Sequence, residues 1–137
     1  MTAVGKCLVL VSLLSYGGCG TIDPCENKVL ARVPSPDGER EAIVFLRDCG
    51  ATTASSTQVS IVPKGAAFLT SPTDWSSTQK GNAFIVSGGD WMSPATVEVE
   101  WAGKGRLMIK HEPREKTFLT AASVLGVSIA YGERSPK

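Results

Sequence analysis

The sequence predicts an all-β protein, with a small antiparallel β domain behind an N-terminal export signal. Three observations support this fold class. Runs of alternating apolar and polar residues recur along the chain, as in strands with one buried face. Clusters of Gly, Pro, Asp and Ser separate these runs, and strong helix formers are not concentrated anywhere after the leader. The domain is expected to be a meander-like sandwich or a partly open barrel, because an open sheet must bury its apolar face.

The first two predicted strands, 29–33 and 41–47, form a hairpin. Asp37 and Gly38 between them can adopt the positive φ angles that a tight turn requires. In a hairpin folded about Asp37, Cys25 and Cys49 lie opposite each other because they are equally distant from it. Directly opposed residues are close enough for a disulfide, so this register predicts a Cys25–Cys49 bridge. A turn shifted by one residue would not align them.

Further segments with strand character follow the hairpin. They are 57–62, 82–87, 96–101, 106–110, 116–120 and 124–131. In 96–101 the alternation places the acidic side chains of Glu98 and Glu100 on the outward face. The residues expected to face inward are Val97, Val99, Trp101, Leu107 and Ile109. Val59 and Ile61 are expected on the face opposite Gln58 and Ser60, and Val127, Ile129 and Tyr131 are expected to share a face.

Residues 1–18 have the organisation of a secretory signal peptide. Lys6 supplies the positive charge, residues 7–14 form the apolar segment, and 15–18 are mostly small. The apolar segment is too short to span a bilayer as a helix. The predicted organisation is therefore a signal peptide at 1–18, a polar tether at 19–27 and a β-rich domain at 28–137.

The segment Gly17-Gly18-Cys19 resembles the lipobox of bacterial lipoproteins. The resemblance implies that the leader is removed just before Cys19 and that its thiol carries a diacylglyceryl group. Tyr16 stands where that family usually has leucine. Cleavage by an ordinary signal peptidase after Gly17 or after Gly20 remains an alternative.

The number of cysteines bears on this choice. Cleavage before Cys19 leaves that residue together with Cys25 and Cys49, and an odd thiol is unfavourable in an oxidising compartment. Lipidation of Cys19 leaves one even pair, and so does cleavage after Gly20. Cysteine parity therefore disfavours only the cut after Gly17.

Most of the sequence after the leader resembles a group of small uncharacterised bacterial envelope proteins. The shared features are Ser35-Pro-Asp-Gly38, the segment 42–53 with its Asp48-Cys-Gly-Ala-Thr-Thr53 core, the strand 56–61, and the Val-x-Val-x-Trp pattern of 97–101. The resemblance implies an exported lipoprotein with the same hairpin and implies no particular activity.

The sequence does not assemble a catalytic or metal-binding set, so no enzyme and no cofactor is predicted. His111 lies beside Glu112, but adjacent strand residues point to opposite faces, and a solvated strand end is expected. Glu98 and Glu100 have a spacing similar to that of glycosidase carboxylates, yet both are expected on an exposed face. Cys49 is expected in the bridge rather than as a nucleophile.

Two tryptophans are the best candidates for a binding function. Trp75 and Trp91 lie in long polar segments, and each follows an aspartate, Asp74 and Asp90. Exposed tryptophans with polar neighbours suit protein or glycan recognition, whereas the alternative is that each ring caps an open end of the domain. The formal net charge of +1 provides no long-range field for nucleic acid.

These features predict a non-enzymatic lipoprotein of the bacterial cell envelope, lipid-anchored and facing the periplasm or the exterior, that acts as a binding or interaction module. One alternative is an inhibitor or immunity protein that blocks an incoming enzyme or phage. Another is a freely secreted periplasmic protein.

Overall fold

The strands of the protein confirm the all-β prediction. The computed structural model describes residues 25–51, 53–68, 70, 79–87, 94–113 and 116–135. Within these ranges the secondary structure consists of strands without a helix: β1 Glu26–Pro34, β2 Arg40–Asp48, β3 Ser56–Pro63, β4 Phe84–Ser87, β5 Val97–Trp101, β6 Arg106–His111, β7 Thr117–Thr120, β8 Ser123–Val124 and β9 Val127–Glu133. The predicted signal peptide and most of the predicted tether lie outside the described residues. Strand β1 begins at Glu26, slightly before the predicted start of the domain.

The strands form two sheets rather than one continuous meander. The first has five strands in the order β1-β2-β3-β4-β7, and the second has four in the order β5-β6-β9-β8. Neighbouring strands are antiparallel except for β6 and β9, which are parallel. This exception arises because the chain crosses from the second sheet to the first after β6, and β7 pairs there with β4. The chain then returns to the second sheet in the same direction as β6.

The core lies between the two sheets. The buried side chains there include Ala42, Val44, Val59, Ile61, Phe84, Val86, Leu107, Ile109 and Val127. The residues partly buried against them include Val97, Val99, Trp101, Ile129 and Tyr131. This confirms the inward face predicted for Val97, Val99 and Trp101, and the face that Ile129 and Tyr131 were predicted to share with Val127. The indole N–H of Trp101 donates to the carbonyl oxygen of Val33 at 2.9 Å and so joins the second sheet to β1.

The outer face of the first sheet is covered as well. Ile43, Phe45 and Val62 form a second apolar cluster there, against which Ala66 and Phe68 pack. The rings of Phe45 and Phe68 meet edge to face with their centroids 4.9 Å apart. Strand β2 is therefore buried on both faces, which explains its continuous apolar run.

The β1–β2 register differs from the prediction next to the turn and agrees with it near the cysteines. Close to the turn, Val33 lies opposite Ala42, one residue away from the predicted pairing. A β-bulge at Leu30 inserts one extra residue into β1, so that Glu26 lies opposite Asp48. The bulge thus brings Cys25 opposite Cys49.

The turn between β1 and β2 is held by its own side chains. The Asp37 carboxylate accepts a hydrogen bond from the Ser35 hydroxyl at 2.6 Å and another from the Glu39 amide at 3.1 Å. These two bonds, the first above all, lower the pKa of Asp37 from its usual value of 3.8. Gly38 has φ +73°, as expected for this position.

The predicted strand 124–131 is wrong as a continuous element. Leu125 and Gly126 have φ angles of 49° and 77° and form a two-residue hairpin loop between β8 and β9. Positive φ at both central residues is the pattern of a type I′ turn, for which leucine is an unusual residue. Strand β4 also begins later than predicted. The Asn82 side chain takes the place of a strand partner, because it accepts a hydrogen bond from the Ile61 amide at 2.8 Å and donates one to the Ile61 carbonyl at 2.9 Å.

Candidate functional site

The predicted disulfide is present between Cys25 and Cys49, whose Cα atoms lie 3.9 Å apart. It confirms the pairing derived from the hairpin register. The bridge also occupies the thiol of Cys49, so this residue is not a free nucleophile.

A row of paired residues crosses the first sheet next to the bridge. Asn27 pairs with Arg47, Arg47 with Ser56, and Ser56 with Ser87. Since neighbouring strands are about 4.8 Å apart, the row is about 14 Å long. We call this row and the Cys25–Cys49 bridge the disulfide end.

Arg47 is a buried cation within the disulfide end, with only 4% of its surface exposed. Its Nη1 donates to Asn27 Oδ1 at 3.2 Å and to the Gln79 carbonyl at 3.1 Å. The Asn27 side-chain amide donates to the same carbonyl at 2.7 Å. A buried guanidinium is tolerated only when its donors are satisfied, so these acceptors fix where Gln79 can lie.

The segment that carries Asp74 and Trp75 is attached at this end. Residues 71–78 lie outside the described residues, but the residues on either side are placed by hydrogen bonds. The Asn27 amide donates to the carbonyl of Thr70 at 2.7 Å, and the Asn27 side chain holds Gln79. The residues on both sides of this segment are therefore held by the same residue of β1, Asn27.

The segment that carries Asp90 and Trp91 starts and ends there too. Residues 88–93 also lie outside the described residues. They follow Ser87, the last member of the row, and the returning chain is held at Ala95, whose carbonyl accepts a 2.9 Å bond from the Thr57 hydroxyl. Thr57 is the neighbour of Ser56 on β3, so both segments are attached at the disulfide end or directly beside it.

A glycine fixes the path from Gln79 to β4. The Gly81 amide donates to Gln58 Oε1 at 2.7 Å. A Cβ atom at Gly81 would lie 3.0 Å from both Gln58 Cβ and the Phe84 carbonyl, so only glycine fits without displacement. Nearby, Gln79 Oε1 is buried without a hydrogen-bond partner among the described residues.

The polar residues considered for catalysis are engaged in structural contacts. Glu98 forms a 2.6 Å ion pair with Arg134, and Glu100 lies 3.6 Å from Lys110. A solvated position is predicted for His111, but the residue is only partly exposed. Its ring lies against that of Phe84, with the ring centroids 5.0 Å apart.

Neither a metal site nor a membrane-spanning helix is found in the parts of the chain that the structure describes. No group of three or more His, Cys, Asp or Glu side chains there could hold a metal ion. No described helix is long and apolar enough to cross a bilayer. Comparisons with protein-family models, curated proteins and solved structures give no match.

Sequence reasoning located the bridge but missed the Asn27–Arg47–Gln79 network. One signal was available: Arg47 is in phase with Ile43 and Phe45 on β2 and therefore faces the same covered side. Asn27 gives no such signal, because it lies in the polar segment 19–27, which has no strand periodicity. Cys19, Asp74, Trp75, Asp90 and Trp91 lie outside the described residues, and their roles stay predictions.

Proposed function

We propose that this protein is a non-enzymatic lipoprotein of the bacterial cell envelope that binds a protein or glycan partner. In this proposal, a lipid on Cys19 anchors the protein, and the segments that carry Asp74, Trp75, Asp90 and Trp91 make the recognition surface. The observation that carries it is the common attachment of both segments at the disulfide end.

The position of the bridge supports an exported protein. A disulfide persists in an oxidising compartment and is rare in the cytosol. Cys25 lies six residues after Cys19, and a fully extended chain of that length spans about 20 Å. A lipid on Cys19 would therefore keep the disulfide end, and the two segments attached there, close to the membrane.

The attachment of the two segments supports recognition at one surface. A rigid sheet that holds the ends of two segments restricts their conformations, which lowers the entropy lost when a partner binds. The Arg47 network and the Thr57–Ala95 bond supply this restriction.

Lipidation is tested by fractionating cells and measuring the intact mass of the N-terminal peptide. We expect a diacylglyceryl-modified Cys19 in the membrane fraction, and Cys19→Ala should release the protein from it. A soluble wild-type protein that begins at Gly18 or Thr21 would contradict the anchor and favour free secretion.

Recognition is tested by photo-crosslinking in intact cells with the variants Trp75→Ala and Trp91→Ala. Each should abolish the crosslinked product and leave the thermal midpoint within about 2 °C of the wild type, as for an exposed side chain. Trp101→Ala is the matched control, since its ring packs partly buried against the core and its loss should cost about 2–3 kcal/mol, less than for a fully buried ring. A comparable loss of stability for Trp75→Ala or Trp91→Ala would identify that ring as a core plug. Turnover by the purified protein in a hydrolase substrate panel would contradict the non-enzymatic role.

A further inference from the structure

A groove lies at the opposite end of the first sheet from the bridge. Its volume is about 420 Å³, and Glu39, Arg40, Pro63 and Leu125 line it. Arg40 and Pro63 form the last pair of the β2–β3 ladder, whereas Arg47 and Ser56 belong to the disulfide end. The seven residues from Arg40 to Arg47 place this distal groove about 24 Å from that end.

Leu125 is an unexpected residue for its position in the distal groove. Its backbone has φ 49°, a conformation that glycine, asparagine and aspartate adopt more easily than leucine. Its side chain is nonetheless 50% exposed, so it gains little from burial in the core. A strained backbone combined with an exposed apolar side chain favours a role in contact with another molecule.

Arg40 brings a positive charge to the same turn. A Cβ atom at Gly126 would lie 4.0 Å from Arg40 Nη2, so the guanidinium from the first sheet reaches the β8–β9 turn of the second. Its ion pair with Glu39 is long, at 4.0 Å, and the Glu39 side chain is 74% exposed. Such an exposed, long ion pair contributes little and leaves guanidinium donors available for another carboxylate.

Lys64 adds a second cation beside the groove. Its amide donates to the Glu39 carbonyl at 2.9 Å, and its Nζ lies 3.9 Å from the position of a Cβ atom at Gly38. Arg40 thus lines the groove beside the apolar surface of Leu125 and Pro63, and Lys64 lies at the adjoining turn; this combination matches a carboxylate next to an apolar side chain.

We propose that the distal groove binds an acidic peptide, a short extended protein segment in which a carboxylate adjoins an apolar side chain. The carboxylate contacts the Arg40 guanidinium, and the apolar side chain packs on Leu125 and Pro63. This site is distinct from the surface proposed at the disulfide end, and it lies at the opposite end of the first sheet from Cys25, where the proposed function places the lipid anchor.

The experiment is a ¹⁵N-HSQC titration of the mature protein with two capped pentapeptides, acetyl-Gly-Leu-Glu-Leu-Gly-amide and the same peptide with lysine in place of glutamate. We expect saturable shifts of the Gly38, Lys64 and Gly126 amides with the glutamate peptide, with a dissociation constant on the order of millimolar. The lysine peptide should bind at least about tenfold more weakly, and so should the glutamate peptide to Arg40→Gln.

Leu125→Asn separates recognition from folding. Asparagine tolerates positive φ, so the thermal midpoint should not fall, whereas binding of the glutamate peptide should be lost. Leu30→Asn is the matched control at another exposed leucine and should bind as the wild type does. Equal binding of both peptides, shifts confined to other residues, no saturable shift, or unchanged binding by Leu125→Asn would each overturn the proposal. Concentration-dependent shifts of the groove without peptide would show a second copy of the chain as the occupant instead.

Discussion

Removing the Cys25–Cys49 bridge should cost a large part of the stability of this protein. The bridge closes a loop with a sequence separation of 24. On the chain-entropy model, opening a loop of this size costs about 3.5 kcal/mol, because the unfolded chain regains conformations. The net stability of such proteins is roughly 5–15 kcal/mol. Cys25→Ser combined with Cys49→Ser should therefore lower the midpoint of thermal unfolding by on the order of 10–20 °C.

The measurement is guanidinium chloride unfolding followed by tryptophan fluorescence, with and without reductant. Reduced wild type and the double serine variant should lose the same free energy of unfolding, and reductant should not affect the variant. Both should have a larger m-value than the oxidised wild type, since an unfolded chain without a cross-link exposes more surface. A loss below about 1 kcal/mol, or an unchanged m-value, would refute the argument from chain entropy.

A second pair of substitutions separates the cross-link from side-chain packing. Cys25 is 7% exposed, so serine also places a hydroxyl in a buried site. Cys25→Ala combined with Cys49→Ala removes the bridge without that hydroxyl. Equal losses for the serine and alanine pairs would assign the effect to the cross-link.

Three further substitutions test local features by urea unfolding. Tyr131→Phe removes a 2.7 Å hydrogen bond to the Ala121 carbonyl. Burial raises the pKa of Tyr131 to about 12, so the wild type, unlike the variant, should lose the contribution of this group to the free energy of unfolding between about pH 10 and 12. The same dependence of stability on alkaline pH in both proteins would contradict this. Asp37→Asn should make the free energy of unfolding depend less on pH in acid. The lowered pKa of Asp37 gives the wild type a stabilising contribution that is present above the usual value of 3.8 and is lost as the pH falls through the lowered value. The same acid dependence in both proteins would argue against the Ser35 bond. Gly81→Ala should cost about 1–3 kcal/mol, because the added Cβ has neighbours at 3.0 Å, and a neutral effect would refute this close approach.

Local alternation was enough to predict the strands but not how they assemble. The pattern at Val97, Val99 and Trp101 records which side of a strand is buried, so the inward residues were predictable. The parallel pairing of β6 and β9 depends on β7 moving to the other sheet, a choice made by packing rather than by residues in either strand. The hairpin loop at Leu125 was not predicted, because an apolar residue lies where glycine, asparagine or aspartate is expected in such a loop.

The candidate site was predictable only where its geometry is local. The bridge follows from one hairpin, although its alignment depends on a bulge at Leu30 that no feature of the sequence marks. The partly buried hydrogen bond from Arg47 to Gln79 joins residues 32 positions apart, and such a pairing leaves no periodic signal. The groove at Leu125 combines turns from both sheets and is visible only once the sheets are packed.

The position of β9 has a consequence for how the protein reaches its final form. This last strand of the described chain lies inside the second sheet, between β6 and β8, and its Val127 is fully buried. Until it arrives, β6 presents an open hydrogen-bonding edge that can accept the corresponding strand of another molecule as readily as its own. Exchange of the β8–β9 hairpin between two molecules would therefore yield an intertwined dimer, most readily at high concentration during refolding. The protein is accordingly most vulnerable to mispairing while β6 is in place and β9 has not yet paired with it.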